Sequence, residues 1–231
     1  MPTSFSLFDA ILGNSVITAI PKCCWWCDKM VLHVVTAIAS TLILSCSKPP
    51  INLNLKFKAA VNGVFFCTKT NRLASLVWWH GKEIAPLPAR VRRGGLVCYR
   101  NGYVEAGYWE WRNGKVTFNG KEIKPNEVLW AVSGGGLWVI NGKALRLQEV
   151  KRRENLNERI LTCRNFSFIL VWKDRRKVTL GVSKDGATPE RLARIYEGSF
   201  YAMLRLDGGR ETYYFRNCRK PKWMNNAIGV P

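Results

Sequence analysis

From residue 61 onward the chain alternates short apolar runs with turn residues. Residues 96–99, 103–111, 116–118, 128–132 and 137–140 are rich in Val, Tyr, Trp and Phe, side chains that fit a pleated, half-buried surface. Between and beside them stand five Asn-Gly pairs: Asn62-Gly63, Asn101-Gly102, Asn113-Gly114, Asn119-Gly120 and Asn141-Gly142. A type I′ turn needs positive φ at both central residues, which Asn and Gly tolerate, so each pair marks a candidate hairpin. Strand alternation in 108–112 sets Trp109 on the face opposite Tyr108.

Two stretches read as helices. Residues 145–161 place Leu147, Val150, Ile160 and Leu161 against a basic side of Lys151, Arg152, Arg153 and Arg159. The second opens on Thr188 as cap and Pro189 at the first helical position and closes at Gly198. Leu192, Ile195 and Tyr196 form its expected apolar stripe, with Arg191 and Arg194 elsewhere. Strand-like residues 166–172, 177–182 and 212–216 complete a basic ββαβ unit. The expected fold class is α+β: a β-hairpin-rich body with two short basic helices, preceded by an apolar N-terminal segment.

That segment includes an uncharged, largely apolar run, residues 30–46, flanked by Trp25 and Trp26 on one side and Lys48 on the other. Seventeen residues containing His33 and four hydroxyl side chains stand at the threshold of a membrane span. The run reads as an anchor in an anionic membrane through residues 23–47, or as a buried helix or strand pair. Uncharged initial residues and a late apolar stretch argue against a secretory signal. Pro49-Pro50 sets a boundary, giving three expected spans: 1–50, 51–160 and 161–231.

Charge sharpens the division. Three basic and two acidic residues precede residue 56, leaving 33 of the 36 basic and 14 of the 16 acidic residues after it, so nearly all of the net +20 belongs to the body. Such a surplus, interleaved with aromatic residues, is the footprint of a surface facing a polyanion. The eight cysteines are not spaced as a disulfide scaffold: Cys23, Cys24 and Cys27 crowd together and the rest lie apart. Cys24 and Cys27 have half-zinc-site spacing, but with His33 and His80 the only histidines nothing completes a tetrahedron. Buried free thiols in a reducing compartment, intracellular or within a virion, are the expectation, with no metal and no cofactor. His80, beside Trp78 and Trp79, lacks a partner for acid–base work, and Gly134-Gly135-Gly136 lacks the Lys-Ser/Thr of a phosphate loop and reads as a turn.

One order of motifs resembles phage-type HNH endonucleases. It runs through Val64-Phe65-Phe66, Thr70, Leu73 and Trp78, then Arg100-Asn101-Gly102-Tyr103-Val104 and Asn119-Gly120-Lys121. It continues at Asn126-Glu127-Val128-Leu129-Trp130-Ala131, Val139-Ile140-Asn141-Gly142 and Glu154-Asn155-Leu156, covering about 95 of the 231 residues. The resemblance implies an inactive relative. Where the family carries His-Arg this chain has Asn126-Glu127, where it carries Asp-His before Ile140 this chain has Trp138-Val139, and no histidine follows His80.

The functional expectation is therefore a non-catalytic nucleic-acid-binding protein of phage or viral type. Arg90, Arg92, Arg93, Lys151, Arg152, Arg153, Lys173, Arg175, Arg176, Lys177, Arg191 and Arg194 would grip phosphates of DNA or RNA, with exposed aromatics stacking on bases. The alternatives are a membrane-associated virion structural or matrix-like protein and a structural subunit of a large ribonucleoprotein, in contact with other proteins of that assembly.

Overall fold

The computed structural model describes residues 31–41, 43–46, 56–67, 72–184, 186–208, 214–219 and 226–230. Its first strands are β1 (Val31–Ile38), β2 (Ile43–Cys46), β3 (Lys56–Asn62), β4 (Phe66–Cys67), β5 (Arg72–Leu73), β6 (Val77–Trp79) and β7 (Lys82–Ala85). The hairpins that follow are β8 (Arg93–Tyr99), β9 (Val104–Arg112), β10 (Lys115–Phe118), β11 (Lys121–Glu122), β12 (Val128–Ser133), β13 (Leu137–Ile140) and β14 (Lys143–Ala144). Then come helices α1 (Leu147–Glu154) and α2 (Glu158–Thr162), strands β15 (Phe166–Trp172) and β16 (Lys177–Lys184), and helix α3 (Pro189–Tyr196). Strands β17 (Phe200–Gly208), β18 (Tyr214–Arg219) and β19 (Asn226–Val230) end the described chain.

The strands form a six-stranded sheet (β1-β16-β15-β17-β13-β14), a seven-stranded sheet (β11-β10-β9-β8-β12-β6-β7), a four-stranded sheet (β18-β3-β19-β2) and the β4-β5 pair. The two large sheets pack face to face. Alternate residues of β8, β9 and β12 (Leu96, Cys98, Val104, Ala106, Trp130, Val132) meet Ile169, Val171, Leu180, Val182, Leu204 and Leu206 in one buried layer. The intervening positions point the other way. Val97, Trp109 and Ala131 join Leu76, Leu87 and Phe118 outside the seven-stranded sheet, while Phe168, Leu170 and Met203 lie under α1 and α3. With both faces covered, the central strands read as continuous apolar runs.

This architecture is mainly β, and it corrects the α+β expectation of two short basic helices on a hairpin body. Residues 145–161 do not form one helix: Asn155 takes the left-handed conformation (φ 47°, ψ 48°) and ends α1, and Asn157 caps a separate five-residue α2. The last described strands also begin elsewhere. The strand β17 at Phe200–Gly208 had no counterpart in the sequence reading, and its central position in the six-stranded sheet gives the C-terminal third its shape. α3 does lie between its Thr188 cap and Gly198, but Ile195 is exposed and Ala193 takes its place beside Leu192 and Tyr196 in the core.

Three of the Asn-Gly pairs, at Asn113, Asn119 and Asn141, turn with positive φ at both residues, and His80-Gly81 does the same between β6 and β7. The three spans expected from the sequence share sheets: β1 pairs with β16, and β19 lies between β2 and β3. Within the anchor expected over residues 23–47, residues 31–38 and 43–46 are β1 and β2, and no helix among the described residues is long and apolar enough to cross a membrane. Cys23, Cys24, Cys27, Trp25 and Trp26 lie outside the described residues.

Candidate functional site

Four glycine-bearing segments, remote in sequence, meet where the sheets join. At the end of β3 the Gly63 N–H donates to the Asn226 carbonyl (3.2 Å), and the Asn226 side-chain amide donates to the Val64 carbonyl (3.0 Å). At the end of β17 the Asp207 N–H donates to the Gly63 carbonyl (3.1 Å), and the Asp207 carboxylate accepts from the Gly208 N–H (2.7 Å). Between β12 and β13, Gly134 donates to the Gly94 carbonyl (3.0 Å), Gly135 to the Arg205 carbonyl (2.8 Å), and Arg205 donates back to Gly136 (3.0 Å). Smallness rather than turning ability is required at Gly63, Gly134 and Gly208. A Cβ there would run into Asn226, the Arg205 carbonyl and the Asn165 carbonyl respectively.

Arg205 is the chemical centre of this junction. It is 2% exposed, and its Nε and Nη1 have no hydrogen-bond acceptor. Its guanidinium carbon lies 5.3 Å from the Phe65 ring centre and 5.5 Å from that of Phe166, an aromatic sandwich that suits a cation. The guanidinium hydrogen-bonds the Cys163 sulfur, whose thiol donates to the Asn165 carbonyl (3.2 Å). Burial, only partly offset by Cys163 and the Asp207 carboxylate, lowers the guanidinium pKa to about 10, so the group stays a cation at neutral pH. No described carboxylate forms an ion pair with it. Buried cations are ordinarily paired, and planar N–H donors of this kind match phosphate oxygens.

A second buried charge braces the junction from α1. Glu154 is fully buried; its two carboxylate oxygens accept from the Gly94 and Leu137 N–H groups, each at 2.8 Å. Arg93 donates to the Glu154 main-chain carbonyl (2.6 Å), so the end of α1 is tied to the start of β8. Burial outweighs the two amide donors and raises the Glu154 carboxyl to about 7.

The residues expected to grip phosphate fall into separate groups. Arg92 and Arg153 meet over Tyr108, with guanidinium carbons 4.4 and 5.9 Å from its ring centre. Arg175 is turned inward at the 173–177 turn, donating to Val104, Tyr103 and Tyr201. Arg176 donates to the Asn101 carbonyl (3.0 Å), and Lys177 stands 4.0 Å from Asp174. Lys173 lines a shallow depression with Asn141, Gly142, Phe200 and Tyr201. Lys151 pairs with Glu158 (3.4 Å) and Arg194 with Glu190 (3.0 Å). Arg90, Arg152 and Arg191 are exposed. Most described indoles are interior: Trp109, Trp130 and Trp138 are fully buried, while Trp111 is 42% exposed. Most segments that carry the HNH resemblance lie in sheet strands and their turns, with Trp138 and Val139 wholly buried in β13; Glu154-Asn155-Leu156 instead closes α1, and Thr70 lies outside the described residues.

Cys163, Arg205 and Asp207 are not among the site residues expected from the sequence. The available signals were glycines outside the hairpin pairs, in Gly134-Gly135-Gly136 and Asp207-Gly208, and a lone charge inside the apolar run 202–206.

The chain matches no protein-family model and no curated protein. Its fold is similar to that of the zebrafish N-acetylglucosamine-1-phosphodiester alpha-N-acetylglucosaminidase catalytic domain, auto-inhibited by its pro-peptide (TM-score 0.63, 14% identity, 94% of this chain and 82% of that one). It is also similar to a hypothetical protein from Synechocystis (TM-score 0.59, 14% identity, 87% of this chain and 59% of that one). A Burkholderia pseudomallei protein described as exported has the same fold (TM-score 0.60, 8% identity, 87% of this chain and 74% of that one). At these identities the likeness is one of fold. None of the three structures is named as an HNH endonuclease.

Proposed function

We propose that the chain binds a phosphodiester at the junction of Gly63, Arg205 and Asp207 and hydrolyses it on the sugar side of the phosphate. The observation that carries this reading is Arg205, a fully buried cation with two unpaired nitrogens beneath a glycine segment. The fold likeness to a catalytic domain named for a sugar phosphodiester supports it. In the proposed reaction Asp207 takes a proton from water. The water oxygen bonds to the sugar carbon as the carbon–oxygen bond to phosphate breaks, and the electron pair leaves with the phosphate monoester. Arg205 stabilises the charge developing there, the step at which a preorganised donor contributes most. The partly exposed Phe65 ring is the side chain that must give way for the phosphate to reach Arg205.

The test is release of N-acetylglucosamine from its methyl-capped 1-phosphodiester by the purified chain. Turnover is expected, with Asp207→Asn lowering it by about 100-fold or more, the range for loss of a general base. Absence of turnover in the unaltered chain, or turnover indifferent to Asp207→Asn, would overturn the reading.

A second reading, non-catalytic nucleic-acid binding by the cationic exterior, rests on Arg90, Arg152, Lys173 and Arg191. All are exposed and none has an ion pair among the described residues. It predicts that affinity for a generic oligonucleotide falls steeply between low and moderate salt; a flat profile contradicts it.

A further inference from the structure

Beside the glycine segment lies a second cationic cluster that the reaction at Arg205 and Asp207 does not use. Tyr108 on β9 faces Gly94 on β8, the residue whose carbonyl accepts from Gly134. Arg92 lies on the Tyr108 ring, and Arg153 reaches the same ring from α1 with Nη1 3.4 Å from the phenol oxygen. Arg93 fixes the spacing between them by donating to the Glu154 and Arg92 carbonyls. The acidic neighbours are loose: Glu110 stands 3.9 Å from Arg92, and also from Arg112, while Glu149 stands 3.9 Å from Arg153. The Arg92 side chain is 46% exposed and that of Arg153 33%. Each guanidinium carries five N–H donors, and most of those on Arg92 and Arg153 face solvent or a weak contact.

We infer that Arg92 and Arg153, seated on Tyr108, form a second phosphate subsite, so that the ligand of the Arg205 site is an oligomeric phosphodiester rather than a single diester. The inference rests on the reading of Arg205 as a phosphodiester site. The path from Tyr108 through Gly94 and the glycine segment to Arg205 crosses three neighbouring backbone segments. At roughly 4.8 Å for each step this is on the order of 15 Å, a span that takes a further repeat of a phosphate-linked chain. Tyr108 holds the two guanidiniums side by side, so little side-chain freedom is lost when an anion joins them.

Isothermal titration of the full chain with three probes tests this: the methyl-capped sugar 1-phosphodiester, a thymidine tetranucleotide, and a tetramer of glycerol phosphate. Both oligomers are expected to bind more tightly than the single diester. Arg92→Gln and Arg153→Gln should each weaken oligomer binding about tenfold, as for loss of one charge-assisted contact, while leaving the single diester unaffected. The nucleic-acid salt slope should fall by about 0.7 for each arginine removed. Both variants keep the side-chain stem at partly exposed positions, and an unchanged melting temperature verifies folding. Preference for one oligomer identifies the repeating unit. Equal binding of oligomer and single diester, or oligomer binding indifferent to both substitutions, overturns the subsite while the Arg205 reading stands. Failure of every probe to bind overturns both.

Discussion

Arg175 and Arg205 are two arginines drawn into the same β-rich body, and they are treated in opposite ways. Arg175 donates from Nε to the Val104 carbonyl (3.1 Å), from Nη1 to the Tyr103 hydroxyl (2.9 Å) and from Nη2 to the Tyr201 hydroxyl (2.5 Å). It also lies 4.5 and 4.0 Å from the centres of those two rings. Every nitrogen has a partner, and the side chain ties the β15–β16 turn to the β8–β9 turn. Arg205 is buried more deeply, yet two of its nitrogens have none. A satisfied buried arginine stabilises a fold. An unsatisfied one costs stability and is retained where a ligand completes it.

The largest stability effect falls on the satisfied member of the pair. Arg175→Met leaves two tyrosine hydroxyls and a carbonyl without their donor, and denaturant unfolding should report a loss of about 3 kcal/mol or more, with turnover per folded molecule unchanged. A fall in turnover without loss of stability would break the contrast.

Glu154 sharpens the contrast from the acidic side. Its carboxyl is raised from the ordinary 4.5 to about 7, so the folded chain holds the proton more readily than the unfolded chain. The resulting stability is fully present below about pH 4.5 and is lost as pH rises toward about 7, a change of about 3 kcal/mol at most. Unfolding followed across pH 4–8 should show this decline, and Glu154→Gln should flatten it. An unaltered slope in the variant would assign the pH dependence elsewhere.

The smallest effect is at Cys163. Cys163→Ala removes a hydrogen-bond partner of the Arg205 guanidinium and should cost about 1 kcal/mol. Added phosphodiester should recover part of that loss, whereas Cys98→Ala, at the buried thiol of β8, should show no such recovery.

The local rules of the chain were readable where one segment decides its own shape. Asn113-Gly114, Asn119-Gly120 and Asn141-Gly142 turn as their φ preferences require, and Thr188-Pro189 opens a helix. Asn62-Gly63 has the same two letters but is no turn. Its glycine is needed because Asn226, 163 positions away, presses against it. β17 went unread because Arg205 and Asp207 interrupt its apolar pattern, and those interruptions are the residues of the proposed site. A single helix over 145–161 fitted the charge pattern, yet Asn155 ends it so that Glu154 can reach Gly94 and Leu137. Pairings between distant strands, rather than periodicity, bring Gly135, Cys163 and Asp207 around Arg205.

The most direct test of the central claim is thermal unfolding of Arg205→Met beside the unaltered chain, with and without the methyl-capped sugar 1-phosphodiester. Replacing an unpaired buried cation by an apolar side chain of similar length should leave the melting temperature unchanged or raise it. The ligand-dependent rise seen in the unaltered chain should vanish in the variant. A variant that melts well below the unaltered chain and still gains the same stabilisation from the ligand would show Arg205 to be structural, and would contradict the account.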